Sequence, residues 1–157
     1  GEDIVVFYDE TLDYMYVDEG AEAEVFKYGE EALKIYKSLC YKERLGEEDS
    51  IKLSQIKTER FLMPGKMIYD LDNNKFKGYS LPFIHKYSPN VISHLSMRHL
   101  LSEFDVLVSD ICLLSDNGVC IDDLHIDNTL YNGSFFICDP GSFSLAGLLS
   151  RVIVSPT

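Results

Sequence analysis

Asn128 and Asp139 stand on either side of a segment that reads as a β-hairpin. Asn132-Gly133 is a strong two-residue turn signal, and it predicts strands over Thr129–Tyr131 and Ser134–Cys138. A hairpin returns the chain to the end at which it started, so the two flanking side chains are expected to face one space. An amide oxygen beside a carboxylate makes a hard-cation site of the kind that keeps Mg2+ on a phosphate. Asp123 lies on the loop just before. Taken singly, Asp123, Asn128 and Asp139-Pro140-Gly141 are ordinary turn residues. Their order and spacing around the hairpin single them out.

The elements that must hold these residues fall into two stretches. Ile4–Tyr8, Asp13–Val17, Glu24–Tyr28 and Ala32–Tyr36 are short, alternating and rich in β-branched and aromatic residues, which predicts an antiparallel meander. A helix is expected over Glu43–Lys57, opening on acids and carrying Ile51 and Ile56 on its apolar side. Phe61–Tyr69 and Phe76–Ile84 read as strands around an Asp72-Asn73-Asn74-Lys75 turn. The polar stretch His85–Asn90 is the expected linker. Beyond it, Met97–Leu114 carries Leu100, Leu101, Phe104, Leu107, Val108, Ile111 and Leu114 at three- and four-residue steps. That predicts one long helix with an apolar arc wide enough to be buried on more than one side, stopped by Asp116-Asn117-Gly118.

Charge and composition narrow the function. The chain has 157 residues, 26 acids against 14 Lys+Arg, and a net charge of −12. Such a balance argues against nucleic-acid binding, which needs a basic face. No apolar run reaches the ~18 residues that span a bilayer; Phe104–Leu114 is broken by Asp105 and Asp110. Gly1-Glu2-Asp3 lacks the basic start of a signal peptide, so a cytoplasmic location is expected. Cys40, Cys112, Cys120 and Cys138 form no C-x-x-C pair and are expected to be reduced core thiols.

The ordered set resembles the protein kinase superfamily. Asp123-Leu124-His125-Ile126-Asp127-Asn128 is similar to the catalytic-loop pattern D-L-x-x-x-N, and Asp139-Pro140-Gly141 to D-F-G, with the hairpin between them in the same order. Upstream, Ala32-Leu33-Lys34 sits where the family keeps V-A-I-K, and Gly20–Lys27 looks like a sparse glycine loop followed by its valine. The resemblance implies an α+β, kinase-like two-lobed fold. Residues 1–84 would form a five-stranded antiparallel small lobe with one helix, 85–90 a hinge, and 91–157 a partial large lobe. ATP would lie in the cleft. Gly20, Val25 and Ala32 would cover it from above and Leu130 from below, with backbone groups around Pro82-Phe83-Ile84 on the adenine edge. Lys34 would bind the α/β-phosphates, held by a helix acid, with Glu48 preferred to Asp49. Asn128 and Asp139 would hold Mg2+. Asp123 would align an acceptor hydroxyl and take its proton.

Departures from the pattern shape what the resemblance implies. Ile121-Asp122-Asp123 replaces H-R-D, removing the arginine that couples the loop to a phosphorylated activation segment. Asp-Leu-His at 123–125 is more like the aminoglycoside and choline phosphotransferases; His125 itself reads as a surface hydrogen-bonding residue. Pro140 replaces Phe, and only 16 residues follow Gly141. The implied activity is ATP-dependent phosphoryl transfer to a hydroxyl, most simply on protein Ser/Thr. A small-molecule kinase and a pseudokinase acting by contact are the alternatives. With few later helices to cover it, the Met97–Leu114 helix is expected to leave an apolar patch for self-association or a partner protein.

Overall fold

The computed structural model describes residues 5–8, 15–19, 23–37, 45–85, 94–121, 129–138 and 143–145, with side chains over 23–37, 45–85, 94–121 and 129–138. The fold is mixed α+β, and the chain divides into two units. The first comprises Gly1–Gln55 and Met63–Phe83, the second Ile56–Leu62 and Ile84–Thr157.

The first unit is built on a six-stranded sheet. Its strands are β1 (Val5–Tyr8), β2 (Met15–Glu19), β3 (Ala23–Tyr28), β4 (Glu31–Tyr36), β5 (Met67–Asp70) and β6 (Phe76–Pro82), in the order β1-β5-β6-β4-β3-β2. This corrects the expected five-stranded antiparallel sheet: there are six strands, and β1 runs parallel to β5. The β3–β4 turn is tight because Gly29 takes φ +64°. The β5–β6 turn uses the expected residues: the Asp70 carboxylate accepts the Asp72 N–H at 2.8 Å, and Asn73 Oδ1 accepts the Lys75 N–H at 3.0 Å.

Alternation divides the central strands between two faces. Leu33, Ile35 and Ile68, with Phe26 against them, form the apolar core on one face. Ala32, Lys34 and Tyr36 take the other. Strands β4 and β6 approach closely at Ile35 and Gly78. A Cβ at Gly78 would stand 1.8 Å from the Lys34 carbonyl oxygen, and its φ is +156°, so only glycine fits there.

Helix α1 (Glu47–Ser54) is shorter than the expected 43–57. Gly46 caps it, its carbonyl accepting both the Ser50 N–H at 2.9 Å and the Ser50 hydroxyl at 2.7 Å. Glu47, Glu48 and Asp49 occupy the first turn, where the helix dipole favours acids. The buried side chains are Ser50 and Leu53, whereas Ile51 is exposed and Ile56 lies past the helix end. The apolar side expected from Ile51 and Ile56 is therefore wrong by about half a turn.

The second unit holds helix α2 (Met97–Asp116), strand β7 (Val119–Ile121), the hairpin β8 (Thr129–Tyr131) and β9 (Phe135–Ile137), and β10 (Phe143–Leu145), which pairs with β7. Ser96 caps α2 by accepting the His99 N–H at 3.1 Å. Asn117 and Gly118, the latter at φ +76°, end it as expected. Residues 61–66, read as the start of a strand, do not extend β5. Phe61 instead bridges in parallel to Ile137, and the Leu62 N–H donates to the Ile137 carbonyl at 2.8 Å. No helix among the described residues is long and apolar enough to cross a membrane.

Helix α2 turns only part of its expected apolar arc inward. Its buried residues are Glu103, Asp110 and Leu114. Leu101, Phe104, Val108 and Ile111, read as core, are exposed, as is Met97, while Leu100 and Leu107 are half-buried. Cys112 and Cys120 are exposed as well, and Cys138 is half-buried, so none of these three is a core thiol; Cys40 lies outside the described residues.

Candidate functional site

Lys34 lies in the middle of β4, directly opposite Val25 on β3 and Tyr79 on β6. Ala32 precedes it by two residues on the same strand, so Val25, Ala32 and Lys34 share one sheet face. Lys34 is only 9% exposed. Its ammonium stands 5.6 Å from the Tyr36 ring centre and 5.7 Å from that of Tyr79, within cation–π range of both. A lysine so placed is not the solvated strand lysine of an ordinary sheet surface. The rings continue away from it. Tyr36 and Phe76 are 6.3 Å apart and Phe76 and Tyr69 6.1 Å, and the Tyr69 hydroxyl donates to the Glu47 carboxylate at 2.7 Å. Burial, then that bond and the Glu47 charge, push the Tyr69 pKa from 10.0 to about 12.

Glu48 does not meet Lys34. It pairs with Lys52 one turn on, at 3.5 Å, and its side chain is 85% exposed. The helix phase explains this: with Ser50 and Leu53 turned inward, position 48 falls on the outer face. Asp49, the other acid weighed for this role, is half-buried on the flank of the inward face.

The chain around Pro82-Phe83-Ile84 has donors for only part of the expected backbone contact. Pro82 has no N–H. The Phe83 N–H is already committed to the Glu30 carbonyl at 3.1 Å, and the Lys27 ammonium lies 5.2 Å from the centre of the Phe83 ring. Ile84 supplies the remaining candidate N–H.

The predicted hairpin forms in the second unit. Thr129, Leu130 and Tyr131 face Ile137, Phe136 and Phe135. Its loop holds three residues rather than two: Asn132, Gly133 at φ +110° and Ser134, with the Asn132 N–H donating to the Ser134 carbonyl at 3.2 Å. Leu130 is half-buried on β8. Asn128 and Asp139 flank the hairpin in sequence. They, Asp123, His125 and Gly20 lie outside the described residues. Among the described residues no group of three or more His, Cys, Asp or Glu gathers to hold a metal, so the fit to Mg2+ rests on those outside positions.

What holds the hairpin was missed by sequence reasoning. Asp110, 4% exposed, accepts three consecutive backbone N–H groups: Glu59 at 3.1 Å, Arg60 at 2.6 Å and Phe61 at 3.3 Å. Two turns earlier, Glu103 is 5% exposed; it pairs with the Arg60 guanidinium at 3.2 Å and accepts the Phe135 N–H of β9 at 2.7 Å. The Ile137 N–H donates to the Arg60 carbonyl at 2.8 Å, and the Arg60 guanidinium carbon lies 5.8 Å from the Phe136 ring centre. His99 and the Tyr131 hydroxyl add a contact at 3.1 Å. One face of α2 thus binds both residues 59–61 and the hairpin through buried carboxylates whose lone pairs are occupied, the condition under which buried charge is tolerated. The available signal was two acids seven residues apart inside an apolar helix pattern.

Comparison of the chain with known protein families and with curated proteins finds no match.

Proposed function

We propose that the chain is an ATP- and Mg2+-dependent phosphotransferase acting on a hydroxyl, most simply of protein Ser/Thr, in a kinase-like fold. The observation that carries this reading is Lys34, buried on a strand face that it shares with Val25 and Ala32. That grouping suits an apolar platform for a base leading to a cation for its phosphates. Asp49, half-buried beside the inward face of α1, takes over from Glu48 as the acid that orients Lys34. Ile84 supplies the backbone donor for the adenine edge, and Leu130 an apolar contact.

Asn128 and Asp139, on the two sides of the β8–β9 hairpin, are the residues to hold Mg2+, which when bound neutralises charge on the transferring phosphoryl group. Asp123 orients the acceptor hydroxyl and takes its proton. Metal and a single lysine would then supply the local positive charge that a chain of −12 otherwise lacks.

A contact-only pseudokinase is the second reading. The internal commitment of the Phe83 N–H favours it, as does Ile121-Asp122-Asp123 in place of H-R-D. Melting temperatures with ATP, with and without Mg2+, test the binding half of the proposal. Wild type should be stabilised by ATP only when Mg2+ is present, and Asp139→Ala should lose that shift while keeping its own melting point. A full shift in the variant would remove Asp139 from the metal site, and no shift in wild type would remove the nucleotide.

A further inference from the structure

Met97, Leu101, Phe104, Val108 and Ile111 recur along α2 by steps of four, three, four and three. That spacing draws one continuous stripe, the seam of a two-helix coiled coil. The first four are between 53% and 69% exposed and Ile111 36%. The stripe lies about a third of a turn from Glu103, Asp110 and Leu114, which face the interior. Along one flank run Leu100, Leu107 and Leu114, all half-buried or buried. Along the other run Arg98, Asp105 and Cys112, all exposed.

We propose that a second copy of this chain docks antiparallel along this stripe, in a register set by Arg98 and Asp105. An antiparallel pair brings like flanks together, so the polar flank of one copy meets that of the other. A parallel pair would instead set Arg98 and Asp105 against leucines. In one antiparallel register, Met97 layers with Val108 of the second copy and Leu101 with its Phe104. The two-fold axis repeats both layers. That same register sets Arg98 beside Asp105 of the second copy, twice. Sliding by one heptad keeps apolar layers, Leu101 with Ile111 and Phe104 with Val108, but sets Asp105 against Asp105. Like charges at that point exclude it. The arrangement is isologous, as a two-fold dimer requires.

The area is modest. In this register four apolar side chains per copy, each hiding on the order of 100 Å2, give roughly 800 Å2 for the pair, below the standard size of specific interfaces and in the range of weak, transient contacts. The dimer should therefore be reversible, with a Kd in the micromolar range or weaker.

Sedimentation velocity of the whole chain across about 1 to 300 µM tests this, with circular dichroism to check the fold of each variant. Wild type should pass from monomer to dimer. Arg98→Asp and Asp105→Arg, both at exposed positions, should each raise the Kd by at least about tenfold. The double variant Arg98→Asp/Asp105→Arg should return to within about threefold of wild type, because the pair is restored with its signs exchanged. Phe104→Asp should abolish dimerisation. A monomer throughout would overturn the proposal; that includes the case in which residues 146–157 of the same chain cover the stripe. A dimer indifferent to either charge reversal, or one that the double variant fails to recover, would overturn it too.

Discussion

The Asp110 carboxylate takes the Arg60 backbone N–H at 2.6 Å, across fifty residues of sequence, and holds the N–H groups on both sides of it as well. A charge at this depth is stable because donors surround it. Removing it strands three N–H groups rather than one. Asp110→Ala should therefore cost about 3 kcal/mol. Asp110→Asn keeps one acceptor oxygen and should cost about half of that. Urea unfolding of the two variants checks the order, and an Asp110→Ala loss below about 1 kcal/mol would mean that water replaces the carboxylate.

The orientation of α2 shows where sequence reading stops. Its extent was legible, because apolar residues at three- and four-residue steps have no other regular solution. Which side faces inward was not. Pattern reading ranks Leu101 and Phe104 above Glu103 and Asp110 as core, and it has no access to donors contributed by residues 59–61 and 135. The same limit applied to α1. A run of acids fits any helical phase, so which of Glu48 and Asp49 lies nearer the buried side was not legible; Ser50 and Leu53 fix that side. The hairpin was legible because Asn-Gly acts locally; its loop is one residue longer because Ser134 stays in the turn. The six-stranded sheet was half legible: its strands follow from alternation, but the parallel partner of β1 lies about sixty residues away.

Gly78 couples the sheet to the position of Lys34. Gly78→Ala drives a Cβ into the Lys34 carbonyl, so β4 must shift. The expected loss is about 3 kcal/mol, or roughly 6–12 °C in Tm for a chain of this size. Gly29→Ala is the control: φ is +64° there but nothing lies within 4 Å of the added Cβ, so strain alone should cost about 1 kcal/mol. Equal losses at both glycines would deny the close approach.

Tyr69 gives the fold a pH signature. Its pKa is raised from 10.0 to about 12 by burial and by the bond to Glu47, so the folded state holds this proton more tightly than the unfolded chain does. Its contribution to stability is fully present below pH 10 and is lost as pH rises through about 12. Absorbance titration of Tyr69→Phe against wild type should show one fewer tyrosine ionising late, and Glu47→Gln should move that step towards 10. The same number of late-ionising tyrosines in Tyr69→Phe would contradict the assignment.

Transfer of label from γ-labelled ATP tests the central claim most directly. The acceptors are generic protein substrates and an aminoglycoside, and the proteins are wild type, Asp123→Ala and Lys34→Ala, each with ATP affinity measured alongside. Asp123 is assigned to the acceptor hydroxyl, so its loss should cut turnover by about 10²–10⁴-fold with ATP affinity near wild type. Lys34 is assigned to the phosphates, so its loss should weaken ATP binding and turnover together. No Mg2+-dependent transfer by wild type to any acceptor, or equal loss of ATP affinity in both variants, would contradict the account.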